Sequence, residues 1–149
     1  MAVLEASTTR IVAPPLHPFL MLIPATCLTA GLLTDLTYWA TVNTMWADFS
    51  AWLVSAGAIL AWLVAIAGLI ELLVRPVLRA SAGMAAYVLA YLAAMVLATF
   101  NMLVHSRDGW SSVVPWGLAL SALTVLAFLA AAVAAYGLVA RPRIGGSIR

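Results

Sequence analysis

Four apolar stretches, Pro18 to Ala40, Phe49 to Val74, Gly83 to Val104 and Val113 to Val139, make up most of this chain. Each is longer than the ~20 residues an α-helix needs to cross the hydrocarbon of a bilayer. Lipid offers the backbone no hydrogen-bond partner, so a continuous apolar run of this length must satisfy its own peptide groups as a helix. The segments between them, Thr41 to Asp48, Arg75 to Ala82 and His105 to Ser112, are short and carry polar and turn-forming residues. Successive helices are therefore antiparallel neighbours. The expected fold is all-α: one integral membrane four-helix bundle, up-down-up-down, over residues 17–140, with a lead at 1–16 and a basic tail at 141–149.

Of the 149 residues, 66% are hydrophobic and 8% charged, against about 25% charged in a soluble domain. Twelve charges cannot cover a water-facing surface. The basic residues are all Arg, and with the abundant Ala this points to a GC-rich bacterial coding sequence. No basic stripe with interleaved aromatics exists, which removes nucleic acid as a partner and leaves the lipid bilayer. Cys27 alone permits neither a disulfide framework nor a cysteine-rich zinc site. The lead carries Glu5 and the Pro14-Pro15 pair but no apolar core running to a small-residue cleavage site, so it is expected to stay attached.

Arg10, Arg75, Arg79, Arg141, Arg143 and Arg149 fall on one side of the four spans, and Arg107 on the other. The positive-inside rule then places both termini in the cytoplasm, at a bacterial inner membrane. Asp48, Asp108, Trp39, Trp46, Trp52, Trp110 and Trp116 collect on the opposite side, where the indoles suit a membrane–water interface. Small residues recur at helical spacing in the second span (Gly57, Ala61, Ala65, Gly68) and the fourth (Gly117, Ser121, Thr124), permitting close helix approach within the chain or between copies. Pro24 is expected to kink the first helix, because it has no amide to donate.

The frame His17-Pro18, Pro24, Asp35 resembles the opening of the bacterial membrane family called domain of unknown function 2231. Gly68 to Glu71 is similar to that family's Gly-Leu-Ile-Asp. Phe100 to Asp108, Ser111 to Pro115 and Gly117 to Ser121 resemble its last third, so the likeness runs from about Leu16 to Gly146. The chain departs from the family where a second histidine gives way to Leu22 and an Arg-His pair to Arg141-Pro142. The resemblance implies a four-helix membrane protein and no particular activity.

Ionisable residues inside spans are expensive and mark functional sites by default. Asp35, Thr34, Thr37 and Asn101 are expected to share one polar cluster near the outer face, through an Asp35–Asn101 hydrogen bond or around a bound proton or cation. Glu71 precedes Arg75 by four positions, the favourable order for a helical ion pair. His17 and His105 sit at opposite ends of the bundle, too far apart to ligate one haem b iron, so haem paired with an unexpected ligand such as Met21 or Met102 is a disfavoured reading. Glu-x-x-His pairs, a His-Glu-x-x-His helix and a glycine-rich phosphate loop are all missing from the sequence. Ser106, Ser111 and Ser112 beside His105 and Asp108 look triad-like by composition alone, and no span serine is expected at the depth of a histidine. No catalytic, metal or cofactor-binding residue is therefore expected. Two functions compete. One is a non-catalytic membrane subunit or anchor that docks a protein partner, plausibly a redox enzyme, through Trp110, Trp116 and the outer loops. The other is a small proton- or cation-linked transporter with Asp35 as its titrating group.

Overall fold

The computed structural model describes residues 14–107 and 112–140. Four helices long and apolar enough to cross a membrane cover His17–Thr41, Thr44–Val74, Met84–His105 and Val113–Val139. The first consists of α1 (His17–Leu20) and α2 (Leu22–Thr41), joined through Met21, whose backbone stays right-handed helical. Pro24 supplies no amide to the Leu20 carbonyl, and the interruption falls in that same turn. The second span is α3 (Thr44–Val74), a short α4 (Pro76–Arg79) follows, the third is α5 (Met84–His105), and the fourth opens with an irregular turn (Val113–Gly117) before α6 (Leu118–Val139).

The boundary between α2 and α3 is made locally. Val42 adopts a left-handed conformation (φ 54°), and the Asn43 side chain accepts from the Met45 amide at 3.0 Å. This N-cap satisfies one of the helix's orphan donors and starts α3 before the apolar run begins. Asp48 accordingly lies on α3, where the sequence suggested a loop.

α2 packs against α3 and α6, and α5 packs against the same two, so the spans close into a ring of antiparallel neighbours. At the waist the ring is filled by small residues: Ala58, Ala61, Ala94, Ala98 and Ala131 are buried. Gly57 faces Leu28 so closely that an added Cβ would lie 2.6 Å from its Cγ. Gly57, Ala61, Gly68, Gly117, Ser121 and Thr124 are all buried, so the small-residue faces serve packing within one chain. The outward faces are the apolar ones, with Leu33, Leu63, Leu89, Leu126 and Val133 each at least half exposed. That distribution is stable only where the surroundings are hydrocarbon.

Candidate functional site

Each of the four long helices turns a polar residue inward at one level near the α2–α3 turn. On α2 the buried face runs Gly31, Asp35, Tyr38; on α3 it begins at Ser50; on α5 it ends Asn101, His105; in the fourth span it runs Gly117, the last residue of the opening turn, then Ser121 and Thr124 on α6. These are i, i+3 and i, i+4 spacings, so one helical face delivers each set. Asp35 and Ser50 are 0% exposed, Asn101 and Ser121 1%, and His105 5%.

Asp35 is the hub. Its Oδ1 accepts from the Ser50 hydroxyl and lies 2.9 Å from His105 Nε2, and its Oδ2 accepts from the Ser121 hydroxyl. Ser121 Oγ in turn accepts from Asn101 Nδ2 at 2.9 Å. His105 Nε2 also lies 3.1 Å from Ser50 Oγ, and Nδ1 lies 3.0 Å from the Asn101 carbonyl. Gly117 makes room for the imidazole, since a Cβ there would stand 2.7 Å from His105 Cε1 and 2.4 Å from the Ser112 carbonyl oxygen.

The partners fix the protons. A carbonyl only accepts, so His105 Nδ1 carries a hydrogen. Nε2 and Oδ1 at 2.9 Å then need one further proton between them, either on an imidazolium facing a carboxylate or on a carboxylic acid facing a neutral imidazole. Both forms leave the pair with no net charge. Without that proton two lone pairs would face each other, and a net negative charge would be buried among apolar helices. The arrangement is not a hydrolytic triad: there the carboxylate orients Nδ1 and the serine takes Nε2, whereas here serine and carboxylate share Nε2.

Several expectations need correction. Asn101 reaches Asp35 through Ser121 and not directly. Thr34 and Thr37 stay outside the cluster: Thr34 donates to the Ala30 and Gly31 carbonyls and Thr37 to the Leu33 carbonyl, each within its own helix. His105 is not an interfacial residue apart from the serines of the spans; it is buried beside Ser50, and Asp35 joins it to Ser121. Ser50 escapes the sequence reading: counted from the observed helix ends, Asp35 lies six residues before Thr41 and Ser50 six residues after Thr44, which puts them at one depth. Arg107 and Trp116 are exposed, while Asp108 and Trp110 lie outside the described residues.

A second cluster occupies the opposite end. The Glu71 carboxylate on α3 accepts from the Leu16 amide at 2.9 and 3.1 Å, from the His17 amide at 3.0 Å, and from Arg75 at 2.7 Å. It thereby caps the start of the first span, where free amides and the helix dipole favour an anion. Pro18, buried in that first turn, lacks the amide that would otherwise need a partner. His17 bonds Tyr87 through Nδ1, meets the Tyr91 ring edge-on at a 4.6 Å centroid distance, and lies over Gly68. Tyr87 and His105 are eighteen residues apart on α5, about 27 Å, so the two histidines cannot share one metal ion.

The fold and these two clusters define a four-span membrane protein whose buried polar residues, among those described, are gathered toward its two ends. Residues 13–146 match the family described as predicted membrane protein (DUF2231), and the chain belongs to that family. No curated protein and no solved structure matches it.

Proposed function

We propose that the protein is a proton-linked membrane protein in which the Asp35–His105 pair is the proton-binding site. The observation that carries this reading is the convergence of a carboxylate, an imidazole, two hydroxyls and an amide from four helices into a volume closed to solvent. Cohesion alone does not require it, because small apolar residues hold the waist of the same bundle. A buried ion pair is often replaceable by packed hydrophobic residues without loss of stability. The Asp35–His105 pair shares one proton, and every long helix contributes a polar group around it, so a change in proton occupancy alters contacts among all four. The arginine distribution supports cytoplasmic termini in a bacterial inner membrane, which puts this site at the outer half of the bilayer.

The test is proton movement in proteoliposomes under an imposed pH gradient, read with an internal dye. The wild-type chain is expected to dissipate the gradient faster than empty vesicles, and Asp35→Asn to remove the difference while the fold survives. Asparagine keeps most of the bonds: its amide donates to Nε2 and its carbonyl accepts from Ser121. A passive anchor for a partner protein asks nothing of this site but cohesion. Identical traces from wild type, Asp35→Asn and empty vesicles favour that reading and end this one.

A further inference from the structure

A cavity of about 350 Å³ lies between α3 and α5 at the end of the bundle away from Asp35, and we infer that it binds the head group of an isoprenoid quinone. This inference is independent of the proton site. The cavity extends along α3 from Trp62 to Leu72, about 15 Å at helical rise. α3 and α5 pack less closely than the hairpin pairs on either side of them. Ile66 and Leu92, on the cavity's edge, are exposed on the apolar outer surface, so a ligand reaches it from the bilayer and its tail remains there.

Three features select the ligand. The first is a hydrogen-bond donor. Tyr87 OH has two neighbours, His17 Nδ1 and, at 3.6 Å, the Met21 sulfur. A phenol donates far better to an imidazole nitrogen than to a thioether, so Nδ1 accepts and Nε2 carries the hydrogen. Among the described residues no group bonds Nε2, and His17 lines the cavity. The ligand must therefore present an acceptor. Tyr91, the other phenol of the lining, is already committed to the Ala61 carbonyl at 2.8 Å.

The second feature is charge. Glu71 stands at the polar end of the cavity, with donors from Leu16, His17 and Arg75 on its two oxygens. The Glu71–Arg75 ion pair leaves no net charge there to hold an anionic or a cationic head. The acceptor is thus neutral. The third feature is shape: within an otherwise mostly aliphatic lining stand the rings of His17, Tyr87, Tyr91 and Trp62, the last pinned by its indole donating to Thr99 at 3.1 Å. Rigid aromatic walls suit a flat ring. A neutral, flat, membrane-dissolved molecule with a carbonyl acceptor is a quinone, whereas an acyl chain would leave His17 Nε2 unpaired.

Binding of a radiolabelled decyl-tailed benzoquinone, and separately of a naphthoquinone, to the full chain in phosphatidylcholine nanodiscs tests the assignment. One saturable site per chain is expected for at least one probe. His17→Phe, which keeps an aromatic ring but removes the donor, should weaken binding by about tenfold, the factor for one lost hydrogen bond. Ala65→Phe, which fills the cavity, should weaken it further and decides the matter if His17→Phe does not fold. Leu126→Ala, exposed on α6, should bind as wild type. The inference is overturned by an absence of saturable binding, by wild-type affinity in Ala65→Phe or in a folded His17→Phe, or by equal competition from a sterol or diacylglycerol.

Discussion

The two ends of this bundle each hold a buried histidine, and they use it differently. His105 is bonded at both ring nitrogens, to a carboxylate and to a backbone carbonyl, inside a network supplied by four helices. His17 is bonded at one nitrogen, to a phenol, and its other edge borders a cavity open toward lipid. The carboxylates differ in parallel: Asp35 is completely buried and serves side chains, whereas Glu71 is partly exposed and caps a helix start. The same residue types thus make a closed hydrogen-bonded network at one end and a cluster beside an open cavity at the other. What separates them is whether all helices deliver a polar side chain to one level.

The largest effect should come from opening the closed end. Asp35→Leu leaves His105, Ser50 and Ser121 facing an apolar side chain in the interior. Removing one partner of a buried charged pair costs ~3–5 kcal/mol, and denaturation of the purified chain in mixed micelles should show a loss of that order. Adding His105→Leu should recover part of it, because the orphaned imidazole goes too. Equal stability for wild type and Asp35→Leu would show that the network contributes nothing to cohesion, and the contrast between the ends would fail.

At the other end, Glu71→Ala removes the acceptor for two backbone amides and for Arg75. Hydrogen bonds to a charged group contribute about 1.5–3 kcal/mol. The site is partly exposed, so water replaces some of the loss and a decrease of about 2 kcal/mol is expected. The damage should be local: amide exchange should accelerate at His17 and the following turn while the amides around Asp35 keep their protection. Uniform acceleration along all spans would mean that the two ends are one cooperative unit.

Gly68→Ala probes the fit of His17 alone. The added Cβ would lie 2.1 Å from Cδ2 of the imidazole, so the ring must move. Overpacking of this kind costs ~1–3 kcal/mol, and the lower half of that range applies because a side chain yields more easily than backbone. Gly117→Ala is the matched change at the closed end. There the Ser112 carbonyl oxygen stands 2.4 Å from the new atom, and backbone cannot step aside as a ring can. Thermal melting should rank Gly117→Ala as the more damaging of the two, and the reverse order would place the rigid end beside His17.

The spans were legible because apolar runs of this length admit few alternatives, and the helices begin and end within a few residues of those runs. The correction at Thr44 has a local cause, the Asn43 cap, which polar residues at 43–48 concealed. Asp35 and Asn101 stood out because such residues are rare in spans. His105 and Ser50 did not. Depth measured from the nearest span end makes a histidine that closes a helix look interfacial, yet α5 turns the face bearing Asn101 and His105 inward to its last residue. Facing direction is a property of the packed bundle. Composition reveals which residues are polar, but not which way the helix ends turn.

The two threonines beside Asp35 sharpen that point with the smallest expected effect. Thr34 and Thr37 are neighbours of Asp35 in sequence and lie near its level, yet 3.6 residues per turn rotates them away from it. Their hydroxyls bond carbonyls three or four residues back on α2. A helix carbonyl can already accept from the amide four residues on, so the hydroxyl is a second and dispensable donor there. Valine keeps the branched shape and removes only that bond. Thr34→Val and Thr37→Val should each change stability by less than ~0.5 kcal/mol, as surface substitutions do, and proteoliposome traces should match wild type. Ser50→Ala removes a hydroxyl of similar size that bonds Asp35 itself, and it should cost ~1–3 kcal/mol as a loss of a buried partner. If Thr34→Val proved as damaging as Ser50→Ala, the polar group around Asp35 would extend along α2, and the closed site would not be set by four helices meeting at one level.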